Sequence, residues 1–152
     1  MEGAIMTRRE ARKEAFCLLF EQAVSGEAVE VIIQAANEAR DLAPDPFSEA
    51  LAYGAEEHLP ELDLLITENL KGWSLRRLSK VALSLLRMAV FELMYQRDTP
   101  VSVVINEAVE LAKTYGGQGD SAYVNGVLGS VARTYRPQER SSAPSGKEPE
   151  KA

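Results

Sequence analysis

The chain has 152 residues, of which 45% are apolar and 26% charged, with one cysteine, one histidine (His58) and a net charge of −6. A single cysteine excludes an intramolecular disulfide and a zinc cluster. One histidine excludes a histidine-based metal centre and leaves little scope for a Ser-His-Asp triad. No apolar run approaches the ~20 residues that span a bilayer, and no signal peptide opens the chain. The expectation is one soluble, cytoplasmic domain with a real core, no metal and no cofactor.

The net charge taken alone argues against nucleic acid, but its distribution argues otherwise. Residues 1–24 carry four acids and four bases; residues 25–70 carry eleven acids against one base, Arg40; residues 71–136 carry nine bases and five acids. An acidic middle is thus flanked by bases at the amino end and in the second half, and such a field steers partners more than the average does.

Thr7-Arg-Arg-Glu10 reads as a capping box, opening a first helix that runs to about Val24 and ends at Ser25-Gly26. A second helix is expected from Glu27 to about Asp41, with Val29, Ile32, Ile33 and Ala36 on one face. A third begins near Asp45, with Phe47, Leu51 and Ala55 inward, and reaches a break at His58-Leu-Pro60. A fourth covers Glu61 to about Leu70. Trp73 reads as a core anchor, and Leu75–Leu78 as a short helical turn. From Ser79 to about Tyr95 the chain is apolar on almost every side, the mark of a central helix. Its two charges, Arg87 and Glu92, are badly spaced for each other and should each meet another helix. Asp98-Thr-Pro100 starts the next helix, which Gly116-Gly117 ends. The last is capped by Asp120 or Ser121, and Gly126 and Gly129 in it would allow a close helix approach. From Pro137 onward the composition cannot bury enough surface to order itself. The fold class is all-α: about seven helices in one domain over 1–136, in two small subdomains (about 7–58 and 59–136), with a disordered tail at 137–152.

The first helix carries the chemistry. At ~100° per residue, Arg8, Arg9, Arg12 and Lys13 fall in an arc of about 140°, and Phe16 and Phe20 lie inside it. Cations for phosphates and rings for bases are the mixture that holds single-stranded nucleic acid. The plainer alternative is a solvated face softened by Glu10 and Glu14, with both phenylalanines in the core. Cys17 reads as a small buried residue. Asn106, Glu107 and Asn125 exceed what the apolar stripes of the last two helices need; for Asn106 and Asn125 structural hydrogen bonds are the favoured reading. No nucleophile, metal-ligand spacing or phosphate loop accompanies the acids, so catalysis is not expected.

Taken in order, Arg8-Arg-Glu-Ala-Arg12, Ala15, Leu19-Phe20, Trp73, Arg77, Leu86-Arg-Met-Ala-Val-Phe-Glu-Leu93, Pro100, Ile105-Asn-Glu-Ala-Val-Glu-Leu-Ala-Lys113 and Tyr123-Val-Asn-Gly-Val-Leu128 resemble the NusB family. The match extends over nearly the whole expected domain. The resemblance implies a bacterial, non-enzymatic transcription antitermination factor. With NusE, a small-subunit ribosomal protein, such a factor binds boxA-type single-stranded RNA and helps RNA polymerase through termination signals in ribosomal RNA operons. It implies RNA contacts at Arg8, Arg9 and Arg12, with Tyr123 placed to stack on a base; Lys13 and Phe20 complete the candidate RNA set. Cys17 and Phe20 stand where relatives often carry Gln and Tyr, and Ala122 where a basic residue is familiar. The stretch that holds NusE in relatives maps here to Arg76, Lys80 and Ala82, where acids are replaced at Arg76 and Ala82. A helical protein-interaction module or RNA-binding accessory factor without an antitermination role is the alternative, and monomer and homodimer both stay open.

Overall fold

The computed structural model describes residues 6–40, 45–72 and 74–142. Its helices are α1 (Arg8–Ser25), α2 (Val29–Arg40), α3 (Pro46–Glu57), α4 (Leu59–Glu68), α5 (Lys80–Tyr95), α6 (Val101–Tyr115), α7 (Asp120–Tyr135) and α8 (Pro137–Ser142), with a 3-10 turn at Leu75–Arg77. Among the described residues there is no strand, and no helix is long and apolar enough to cross a membrane. Asp41 and Trp73 lie outside the described residues, so the expected end of the second helix and the expected anchor are not addressed.

Local chemistry sets the helix ends. The capping box is formed: Thr7 Oγ1 accepts from the Glu10 N–H at 3.0 Å and Glu10 Oε1 accepts from the Thr7 N–H at 2.9 Å. Such a cap satisfies two otherwise orphaned donors. Gly26 closes α1 in the left-handed conformation. Ser79 caps α5 through a hydrogen bond from the Ala82 N–H. Two expected boundaries move. α4 begins at Leu59, with Pro60 inside its first turn rather than acting as a break, because a first-turn proline gives up an N–H that has no helical acceptor anyway. The residue before α7 is Gly119, at φ 90°, and no side chain caps the helix. Asp120 instead turns its carboxylate back, accepting from the Gly117 N–H and the Ser79 hydroxyl, both at 3.0 Å.

α5 is the hub, packing on α1, α3, α4, α6 and α7. Leu85, Leu86, Val90 and Leu93 are fully buried on it, each stabilising the fold by about 1.5–3 kcal/mol. One continuous apolar core joins both halves of the chain, from Ala15 and Leu19 through Leu51, Leu62 and Leu86 to Val104 and Leu128. Gly54 lets α3 lie on the ring of Phe91: a Cβ there would stand 2.1 Å from the ring.

The ordered chain continues past the expected boundary at 136. Arg136 is buried and donates to the carbonyls of Leu93, Arg97 and Thr99 and to Glu139, while Glu139 also accepts from the Val101 N–H. Burial pulls the Glu139 carboxyl upward, but the Val101 N–H and Arg136 outweigh it and hold it below the ordinary range. Composition marks this stretch as too polar for a core, yet Glu139, together with Arg136, closes the end of α5 and the start of α6 by hydrogen bonding.

Candidate nucleic-acid interface

The four cations of α1 do not act alike. Arg12 turns inward: its side chain is 6% exposed and that of Glu92, on α5, 1%. Arg12 Nε lies 3.0 Å from Glu92 Oε1, and its Nη2 lies 2.6 Å from Oε2, a two-pronged pair inside the core. The expected RNA contact at Arg12 is therefore corrected: the helical arc contains the position, but the core claims it to neutralise Glu92. Phe16, in the same arc, is buried as well, while Phe20 is half-buried. Glu92 and Arg87 each find a partner on another helix, Arg87 reaching Asp63 of α4 with two bonds of 2.9 Å.

Arg8, Arg9 and Lys13 stay at the surface, each held by a different neighbour. Arg8 lies over the ring of Phe47, 4.0 Å from its centre. Stacked this way, a guanidinium is ordered by its ring yet keeps one face open. Arg9 reaches across to α6, where its Nε and Nη2 donate to Glu107 at 3.1 and 2.8 Å. This hydrogen bond is the main reason Arg9 is raised and the Glu107 carboxyl lowered from their ordinary values. A hydrogen bond with Tyr115 raises Lys13. Two of the helix's three acids are occupied: Glu10 completes the cap, and Glu14 accepts from Ser48 of α3 at 2.7 Å, while Glu21 stays exposed.

Beside this strip runs a mainly apolar groove of about 460 Å³ between α1, α5 and α6, lined by Phe16, Cys17, Phe20, Val24, Val81 and Tyr115, with the carboxylate of Glu21 among them. Phe16 and Tyr115 meet at 5.6 Å between ring centres. Cys17 is exposed on this groove, not buried as its type suggests. Tyr115 lines the groove and stands beside the strip, since its hydroxyl is the first cause that raises Lys13.

The remaining candidates divide. Tyr123 is half-buried with its hydroxyl turned inward, and burial pushes that phenol up. Arg76 and Lys80 are exposed. Ala82 is 1% exposed, so it cannot touch a partner directly: it lies on the inner face of α5, a correction to its place in the candidate partner set. Among the polar surplus, Glu107 is explained by Arg9. Asn106 and Asn125 make no hydrogen bond among the described residues; they are exposed and line a separate cleft between α6 and α7. Their expected structural bonds are therefore not formed. Gly126 and Gly129 bring no helix close: open space faces the first, and only Arg133 lies near the second. Sequence reasoning missed Phe47, Glu107 and Tyr115 as the groups that hold the cations. For Glu107 a signal existed, an acid unneeded by its stripe; for Phe47 and Tyr115 there was none beyond an apolar position. Among the described residues no group of acids, cysteines and histidine could hold a metal ion.

A basic strip continuous with an apolar groove on an all-helical scaffold defines a binding protein whose surface offers cations and rings. The chain belongs to the NusB family, whose family model matches residues 9–133. It is 45% identical over 128 residues to the transcription antitermination protein NusB of Exiguobacterium sp., covering 84% of this chain and 98% of that one. It is 42% identical over 127 residues to the protein of that name from Bacillus subtilis, covering 83% and 95%. Among solved structures it is similar to T. maritima NusB, with a TM-score of 0.79 and 33% identity over 92% of this chain and 100% of that one. It is also similar to a chain from a crystal structure of the antitermination factors NusB and NusE in complex with dsRNA, with a TM-score of 0.75 and 27% identity over 84% and 97%.

Proposed function

We propose that this chain is an antitermination factor that binds boxA-type RNA together with NusE, with Arg8, Arg9 and Lys13 as its phosphate contacts. The observation that carries this reading is the strip itself: three surface cations on two turns of α1, with Arg8 and Arg9 each steadied by a neighbour outside the helix. Cations fixed in advance lose less freedom on binding. Arg8, stacked on Phe47, offers its open face to a base, and Phe20 and Tyr123 offer ring edges beside the strip and on α7. The part of the groove away from the strip, around Val24 and Val81, is the seat we assign to NusE, with Lys80, next to Val81, and Arg76 as rim contacts. Relatives carrying the name, and a solved complex of NusB and NusE with RNA, support the antitermination reading.

One observation favours the alternative, a protein-interaction module: Arg12 is buried and Arg9 already bound to a carboxylate, which leaves less free positive charge than the sequence suggests. A single experiment separates the two. Labelled boxA RNA is titrated with the protein, with and without NusE, and the titration is repeated with Arg8→Ala/Arg9→Ala. Salt-dependent RNA binding that falls in the variant supports the RNA reading. Binding to NusE with no RNA retained in either form overturns it in favour of the interaction module.

A further inference from the structure

We propose that the cleft between α6 and α7 is a nucleotide site, taking one base against Asn106 and Asn125 and a phosphate on Arg133. It rests on the RNA reading above but concerns a different surface. The cleft has a volume of about 260 Å³ and is lined by Ser102, Asn106, Asn125, Gly126, Gly129 and Arg133.

Three observations converge here. First, the side chains of Ser102, Asn106, Asn125 and Arg133 have no hydrogen-bond or ion-pair partner among the described residues. One surface thus presents two carboxamides, a hydroxyl and a guanidinium with their bonding capacity unspent. Second, Gly126 has no internal reason to be glycine. It sits within α7, it is exposed, and an added Cβ would meet nothing within 4 Å. A glycine in a helix interior lowers stability relative to alanine, and neither crowding nor backbone strain requires one here. A bare stretch of helix beside two carboxamides admits a flat group that a side chain would hold off. Third, no carboxylate lines the cleft, so an anionic ligand meets only the positive charge of Arg133.

These groups match a nucleotide. A carboxamide pairs a donor with an acceptor, as a base edge does, and asparagine reads adenine by both at once. A guanidinium presents its fork to a phosphate. RNA is favoured over an acidic peptide by position. Glu107, the next residue to Asn106, holds Arg9 of the basic strip, so strip and cleft lie on two sides of one helix, about 10 Å across. A strand lying on Arg8 and Arg9 reaches the cleft by passing over the exposed side of α6.

The test uses the full chain with NusE and a fluorescein-labelled single-stranded RNA containing a boxA element and several flanking nucleotides on each side, read by anisotropy. Gly126→Leu fills the cleft with a better helix former, and Arg133→Ala removes its charge; thermal melting checks that both fold. Each variant is expected to weaken RNA binding by about tenfold, the weight of one base-edge or phosphate contact. Wild-type affinity in both variants overturns the cleft proposal while leaving the basic strip intact. Absence of RNA binding by the wild type overturns the RNA reading itself. Capture of an acidic peptide with a free terminal carboxylate by the wild type but not by Arg133→Ala, with RNA binding unchanged in both variants, overturns the nucleotide in favour of a peptide.

Discussion

Arg12 and Glu92, eighty positions apart, form a buried two-pronged ion pair that joins the first helix to the central one. The pair ties α1 to α5 on the face of α1 that meets the core. Arg12 also lies 5.3 Å from the Phe47 ring that Arg8 covers. The buried arginine thus touches the same ring as an exposed one while spending its charge inside the core.

Removing one partner of such a pair leaves a charge uncompensated in the core. Glu92→Ala is therefore expected to destabilise the protein by about 3–5 kcal/mol, whereas Arg12→Met combined with Glu92→Leu should recover most of that loss. Urea denaturation monitored by circular dichroism checks both. Equal loss in the single and double variants would show that the charge is not the cause.

The exposed and buried arginines should differ in their effect on the salt dependence of RNA binding. Each phosphate contact to a single strand contributes about 0.7 to the slope of log K against log salt. Arg8→Ala is expected to lower the slope by about that amount. The Arg12→Met/Glu92→Leu pair should leave it unchanged, because Arg12 spends its charge on Glu92. A reduced slope in the latter would return Arg12 to the RNA-contacting set.

Glu107 steadies Arg9, and its titration reports the clasp. Its hydrogen bond from Arg9 lowers its pKa in the folded state from the ordinary 4.5. The stability it lends is present above that ordinary value and is lost as pH falls below it, through the lowered folded value. The melting-temperature difference between wild type and Glu107→Gln should thus be constant at neutral pH and shrink as pH drops below 4.5.

Gly54 is a steric requirement. With Phe91 at 2.1 Å from a notional Cβ, and that ring already against His58 and Tyr95, Gly54→Ala overpacks the α3–α5 contact. A loss of about 1–3 kcal/mol is expected, and Phe91→Leu in the same chain should relieve part of it. Chemical denaturation of the single and double variants gives the coupling directly.

The all-helical class, the central place of Val81–Leu93 and the Thr7 capping box were all legible along the chain. They follow from periodicity and from donors and acceptors within a turn of one another, both local properties. The break between the third and fourth helices was legible too and falls at His58, but the fourth starts two residues earlier than expected because proline fits a helix's first turn. The site was legible only in outline. The wheel of α1 places Arg8, Arg9, Arg12 and Lys13 in one arc, but an arc does not say where the core begins. Packing against α5 set that border between Arg12 and its neighbours, because Glu92 required a countercharge. Likewise Glu107 stood out as an acid its stripe did not need, while its partner 98 positions earlier could be found only once α1 and α6 lay side by side. Sequence alone therefore determined which segments are helical, which faces are apolar and which family the chain resembles. Tertiary structure decided which arginine is buried, which are presented and by what, because ion pairing and desolvation depend on distances that folding creates.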